Sequence, residues 1–315
     1  MTAKTVAVIG AGTMGHGIAQ AFALAGFQVF LVARHAETLD KALQRIRENL
    51  RTCVEYGIVE QADADQVPSR IVCTSDTADA AQRSEFVVET VPEDLAVKHE
   101  LLRRLEQSAA ADAVICSNSS SFRVADMAVA LKIPQRFLGT HFWNPPHIMP
   151  MVEVVRGDQT CDAAIETTMH LLRAIGKHPA LVKRDVPGFV GNRLQHALRR
   201  EAIAIVADGI ASPEDVDLIA RLSFGLRMPV VGPLQTVDLG GLDLTLAIQS
   251  YLLPHLDRTT EPKPLVRDMV ARGELGAKSG KGFFDWPTGR QAEVIQKRDR
   301  ALLDILRVLR GSGLA

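Results

Sequence analysis

Hydrophobic positions follow two different periods along the chain. Val6-Ala-Val-Ile9 is an unbroken apolar run of strand length. Gly10-Ala-Gly-Thr-Met-Gly15 follows at once, and an apolar segment from Ile18 to Leu24 then stops at Gly26, a helix C-terminal signal. Val29-Phe-Leu-Val-Ala33 repeats the buried-strand pattern. Leu39, Ala42, Leu43, Ile46, Leu50, Cys53 and Val54 recur at helical spacing, which predicts an amphipathic helix over residues 36–56. Further strands are predicted at 70–74, 86–89, 113–117, 137–141, 152–155 and 179–182, with helices at 96–107, 124–131 and 163–175. Beyond Pro187 only helical spacing remains, at 191–207, 213–222, 243–252, 265–272 and 292–309. The pattern predicts an α/β fold: an N-terminal Rossmann-type sheet domain over 1–186, then an all-α C-terminal domain over 187–315.

The glycines have a physical rationale. Gly10 permits the tight turn after the strand, Gly12 lets backbone approach a pyrophosphate, and Gly15 lets the helix pack close to the sheet. With Thr13 and Met14 they form a loop opening a helix whose N-terminus favours an anion. The strand–loop–helix context marks this as a dinucleotide site, to be filled by NAD or NADP. The second strand departs from the usual NAD pattern. Where an acidic residue would bond the ribose hydroxyl stands Ala33, followed by Arg34. Nothing there repels a 2′-phosphate, and a guanidinium is next in line, so NADP stays open.

Composition narrows the classes. Of 315 residues, 36 are Lys or Arg and 37 are Asp or Glu, giving a net charge of −1. Such a chain has no overall field with which to hold a nucleic acid. The four cysteines form no CxxC pair, so neither a zinc site nor a disulfide framework is expected. The apolar stretch from Gly17 to Ala33 is broken by Gln20, Gly26 and Gln28, and no membrane span is expected. Met1-Thr-Ala-Lys leads straight into the first strand without a signal peptide, and the expected compartment is the cytoplasm.

Two residues invite acid–base chemistry. His141 ends a predicted strand, an Asn-Pro-Pro turn follows, and Glu153 lies on the next strand 12 residues later. A strand–turn–strand return can bring the carboxylate to the imidazole, where it would set the tautomer of a general base. A structural histidine is the competing reading. Ser120 reads otherwise as a helix cap, Asn192 likewise, and Lys98 and Lys278 as solvated charges.

Several stretches together resemble the L-3-hydroxyacyl-CoA dehydrogenase family. They are Val8-Ile-Gly-Ala-Gly-Thr-Met-Gly15, Val88-Glu-Thr-Val-Pro-Glu-Asp-Leu-Ala-Val-Lys98, Ser117-Asn-Ser-Ser-Ser121, His141-Phe-Trp-Asn-Pro145, Asp185-Val-Pro-Gly-Phe-Val-Gly-Asn-Arg193 and Lys278-Ser-Gly-Lys-Gly-Phe283. The resemblance implies that His141 and Glu153 are the catalytic pair. It implies that Ser120 and Asn192 bond the substrate oxygen and the nicotinamide region. It places Glu93, Lys98, Asn144 and Lys278 near the cofactor, and a homodimer contact in the C-terminal domain. The implied substrate is a hydroxyacyl compound, first a short-chain 3-hydroxyacyl-CoA. The long helix nevertheless ends Thr52-Cys-Val-Glu-Tyr-Gly57 without a lysine, and Pro150 stands where CoA-using members often carry lysine. Those features are similar to branches acting on carnitine, sugar acids or a pyridine carboxylate. A non-catalytic nucleotide-binding protein on this fold is the third reading, and retention of both His141 and Glu153 argues against it.

Overall fold

A computed structural model describes residues 5–313. Eight strands form one sheet: β1 Thr5–Ile9, β2 Gln28–Val32, β3 Ile71–Thr74, β4 Phe86–Glu89, β5 Val114–Ser117, β6 Phe137–Phe142, β7 Met151–Val155 and β8 His178–Val182. Their order is β3-β2-β1-β4-β5-β6-β7-β8. All neighbours are parallel except β6 and β7, which run antiparallel. Every strand predicted from apolar runs is present.

The runs are unbroken because both faces of the sheet are covered. Val6 and Val8 of β1 enter one apolar cluster, and Ala7 and Ile9 enter the other. Val29 and Leu31 of β2 divide from Phe30 and Val32 in the same way. Successive side chains point to opposite faces, so each residue has a core to enter. Helices α1 Gly15–Leu24, α2 Ala36–Glu55, α3 Gln61–Gln66, α4 Thr77–Gln82, α5 Leu95–Ser108, α6 Val124–Ala128 and α7 Asp162–Ala174 accompany the sheet. Gly26 takes φ +94° and its N–H bonds Ala23 O, the expected end of α1. The polar helices α3 and α4 have no apolar period to announce them. Asp76 starts α4 by accepting from the N–H groups of Ala78 and Asp79.

Two compact units divide between Arg193 and Leu194. The break falls in the first turn of α8 Gly191–Ala207. The second unit continues through α9 Pro213–Leu222, α10 Phe224–Arg227, α11 Pro233–Gly240, α12 Leu242–Leu252, α13 Pro264–Ala271 and α14 Arg290–Gly311. Helices α10 and α11 were not expected from spacing. Among the described residues of this unit, only Ala204, Met269, Leu303 and Leu306 are buried apolar side chains. Among the described residues, no helix is long and apolar enough to cross a membrane.

Candidate active site

The glycine loop joins β1 to α1 at the C-terminal edge of the parallel strands. Gly10 has φ +111°, and a Cβ there would lie 2.7 Å from Thr90 Oγ1. A Cβ on Gly15 would lie 1.7 Å from the carbonyl oxygen of Gly10, so the loop closes on itself only without a side chain. Gly12 differs, since a Cβ there meets no protein atom within 4 Å. Its need for glycine therefore comes from whatever approaches the loop. Thr13 is exposed and Met14 half-buried, and Met14, at the N-cap of α1, makes no side-chain capping bond. An uncapped helix N-terminus beside an unobstructed glycine fits a dinucleotide pyrophosphate. His16 lies buried behind the loop, its Nδ1 2.8 Å from Gly12 O, and burial pushes its pKa down. Thr90, which sequence reading passed over, donates to Gly10 O at 2.9 Å. Ala33 follows β2, and Arg34 beside it is exposed.

Where β4 and β5 end, a buried charge network forms. Glu89 is fully buried and takes the Lys98 ammonium at 2.8 and 3.0 Å and the Ser117 hydroxyl at 2.5 Å. Lys98 also reaches Glu93 at 3.2 Å. Glu93 in turn accepts from the Ser119 hydroxyl and from the N–H groups of Ser120 and Ser121, at 3.1 and 3.0 Å. Burial opposes its charge, but Ser119, Lys98 and the Ser121 N–H outweigh it and hold its pKa below the ordinary carboxylate value. Lys98 is thus a buried ion-pair partner and no solvated charge. Ser119 accepts from Phe122 N–H at 3.0 Å, so the local structural work falls to Ser119 and leaves the Ser120 side chain exposed.

His141 and Glu153 are directly paired residues on antiparallel β6 and β7. Opposite residues share a face. Nδ1 of His141 lies 2.8 Å from Oε2 of Glu153, both side chains being buried. An ionised carboxylate only accepts, so Nδ1 donates and Nε2 carries the lone pair. The other oxygen, Oε1, accepts from the N–H groups of Val190 and Gly191 at 3.0 and 2.9 Å. Burial raises the Glu153 pKa, but bonds from His141, Gly191 and Val190 outweigh it, and the net shift is downward. Trp143 and Phe189 flank the imidazole with ring centroids 4.9 and 5.7 Å away. Asn192, in the first turn of α8, donates from Nδ2 to Ser120 O at 3.1 Å. The structure therefore brings His141, Glu153, Ser120 and Asn192 together. Asn144 is exposed on the turn after β6. Lys278 is exposed on a turn of the second unit beside the Gly276–Lys281 bridge.

Comparison with known proteins identifies the family. Residues 5–186 match the profile of the 3-hydroxyacyl-CoA dehydrogenase NAD binding domain, and residues 188–286 match the C-terminal domain of the same family. The 5-formyl-3-hydroxy-2-methylpyridine 4-carboxylate 5-dehydrogenase of Mesorhizobium japonicum is 34% identical over 313 residues, 98% of this chain and 99% of the relative. A probable 3-hydroxybutyryl-CoA dehydrogenase of Deinococcus radiodurans is 40% identical over 280 residues, 89% of this chain and 99% of the relative. The crystal structure of a pyridine carboxylic acid 5-dehydrogenase, an NAD+-dependent dismutase, superposes with a TM-score of 0.91 at 32% identity, covering 98% of this chain and 99% of the other. With both domain profiles matched in order, the chain belongs to the 3-hydroxyacyl-CoA dehydrogenase family and is an NAD-dependent dehydrogenase acting on CH–OH groups.

Proposed function

We propose that the protein interconverts an L-3-hydroxyacyl compound and its 3-oxo form, with His141 as general base and Glu153 as its orienting partner. The carrying observation is the 2.8 Å bond from His141 Nδ1 to Glu153, which leaves Nε2 as the acceptor. Bound NAD supplies the hydride acceptor. His141 Nε2 takes the hydroxyl proton, and the Nδ1 bond to Glu153 stabilises the imidazolium that results. Ser120 and Asn192 hold the reacting oxygen, and Glu93, anchored by Lys98, holds the Ser120 loop. Gly10, Gly12, Thr13, Met14 and Gly15 would hold the pyrophosphate, with Asn144 as a further cofactor contact. The exposed Arg34 beside Ala33 supports acceptance of NADP as well as NAD.

A short-chain 3-hydroxyacyl-CoA is the first substrate reading. The second is a free hydroxy acid of the carnitine, sugar acid or pyridine carboxylate kind. Two observations favour the second: α2 ends Thr52-Cys-Val-Glu55 without a lysine, and the pyridine carboxylate relative matches 98% of the chain. We also propose a homodimer through the helical unit, supported by exposed apolar side chains such as Leu234, Leu239 and Tyr251. The four cysteines, none of them in a CxxC pair, support a reducing compartment, the cytoplasm.

The test is nicotinamide absorbance over a panel of hydroxyacyl-CoAs and free hydroxy acids, with wild type and His141→Ala. Turnover of one class identifies the substrate, and His141→Ala should fall by roughly 10²–10⁴. A His141→Ala variant with wild-type turnover overturns the proposed base.

A further inference from the structure

We propose that Lys177 is a positioning residue for the dinucleotide site. Its ammonium pins the turn between β6 and β7 against the glycine-loop helix and so sets where Asn144 meets the cofactor.

The turn reads Asn144-Pro-Pro-His-Ile-Met-Pro150. Three of its residues are prolines, which carry no N–H, so its carbonyls outnumber its donors. Pro145 O is satisfied within the turn by Ile148 and Met149 N–H, at 3.1 and 2.9 Å. Pro150 O takes the N–H of His178 at 2.8 Å. Pro146 O and Met149 O are both satisfied by Lys177 Nζ, at 2.7 and 2.8 Å. Lys177 reaches them from the join between α7 and β8, and it is only 7% exposed. Taking an ammonium out of water is costly, and here two backbone carbonyls held in one geometry offset that cost.

The opposite side of the turn rests on α1. A Cβ on Gly17 would come within 2.7 Å of Pro146 Cγ, so Pro146 sits directly on the helix two residues past Gly15. At its start the turn leaves Trp143, whose ring is 4.9 Å from that of His141. The turn thus bridges the imidazole and the helix that faces the pyrophosphate. Asn144 lies exposed on that bridge. Without the Lys177 donors, the carbonyls of Pro146 and Met149 lose these partners, and the middle of the turn keeps its contact with α1 and the Asn49–His147 bond, with the His178 N–H holding only its far end.

The inference rests on the dehydrogenase reading, and NADH binding followed by fluorescence separates the two. Wild-type protein that binds no NADH sinks the dehydrogenase reading. Given wild-type binding, Lys177→Met should raise the NADH Kd about tenfold or more. Lys177→Arg, which keeps a cation with several N–H donors, should stay within about threefold of wild type. Leu171→Ala removes buried side chain from α7 and serves as the stability control. At a matched loss of Tm it should leave the NADH Kd unchanged. Where Lys177→Met does not accumulate folded, Lys177→Gln, one atom shorter than lysine, takes its place with the same expectation. A folded Lys177 variant lacking the clamp but binding NADH as wild type overturns the proposal. So does a Leu171→Ala variant that weakens NADH binding equally.

Discussion

Glu153 uses its two oxygens for two different partners. One orients His141 and the other caps the start of α8, where Asn192 stands. Glu153→Gln separates these roles. A glutamine keeps one acceptor for the Val190 and Gly191 N–H groups and turns its NH₂ toward His141. Nδ1 must then accept, and the proton moves to Nε2, the wrong tautomer for a base. Turnover should drop by roughly 10²–10⁴, with NADH affinity nearly unchanged. The pair was readable from sequence because an antiparallel return across a short turn places two strand residues side by side. Glu89 was not readable. Its signal, an acidic residue ending a buried strand with Lys98 nine positions on, identifies no partner until β4 and α5 pack. Ala33 and Arg34 make the cofactor prediction. Arg34 should contribute a charge-assisted bond to a 2′-phosphate, worth roughly 1.5–3 kcal/mol. Arg34→Ala should then weaken NADP and spare NAD, while Ala33→Asp should shift selectivity toward NAD. Steady-state kinetics with both cofactors decide it, and strict NAD use with Arg34→Ala silent leaves Arg34 a surface charge.

At the level of elements, the glycine loop contains two kinds of glycine. Gly15 is required by the protein itself, because a Cβ would lie 1.7 Å from Gly10 O. Gly12 is not, because a Cβ there meets nothing. Gly12→Ala should therefore keep the wild-type Tm and lose NADH affinity. Gly15→Ala should lose both, with overpacking costing about 1–3 kcal/mol. Thermal unfolding and NADH fluorescence on the two variants test this, and equal Tm losses refute it. In the first unit, the helices that spacing predicted carry an apolar stripe that is buried. Helices α3 and α4 were not visible, because Gln-Ala-Asp-Ala-Asp-Gln and Thr-Ala-Asp-Ala-Ala-Gln carry no such stripe. The Asp76 cap starts α4, whereas α3 has no side-chain cap.

For the whole molecule, stability should depend on pH through Glu93 and Glu153. Both have folded pKa values below the ordinary glutamate value of 4.5. Their contribution is therefore complete above about pH 4.5 and is lost as pH falls through the lowered folded values. Tm should decline below about pH 4.5, and less steeply in Glu153→Gln, as calorimetry over that range will show. The helical unit adds a prediction on assembly. With four buried apolar side chains among its described residues and Leu239 79% exposed, it lacks a core of its own size. Light scattering should find a dimer at micromolar concentration, and a stable monomer rejects it. The amino-acid sequence by itself determined the eight strands, the glycine loop and the change to all-helical structure, because each rests on local period and local turn chemistry. Only the tertiary structure decided that Lys98 is buried between two carboxylates, that Glu153 caps α8, and that Lys177 holds a proline-rich turn. Those bonds join residues 5 to 38 positions apart, and such partners are set by which elements the sheet order brings together.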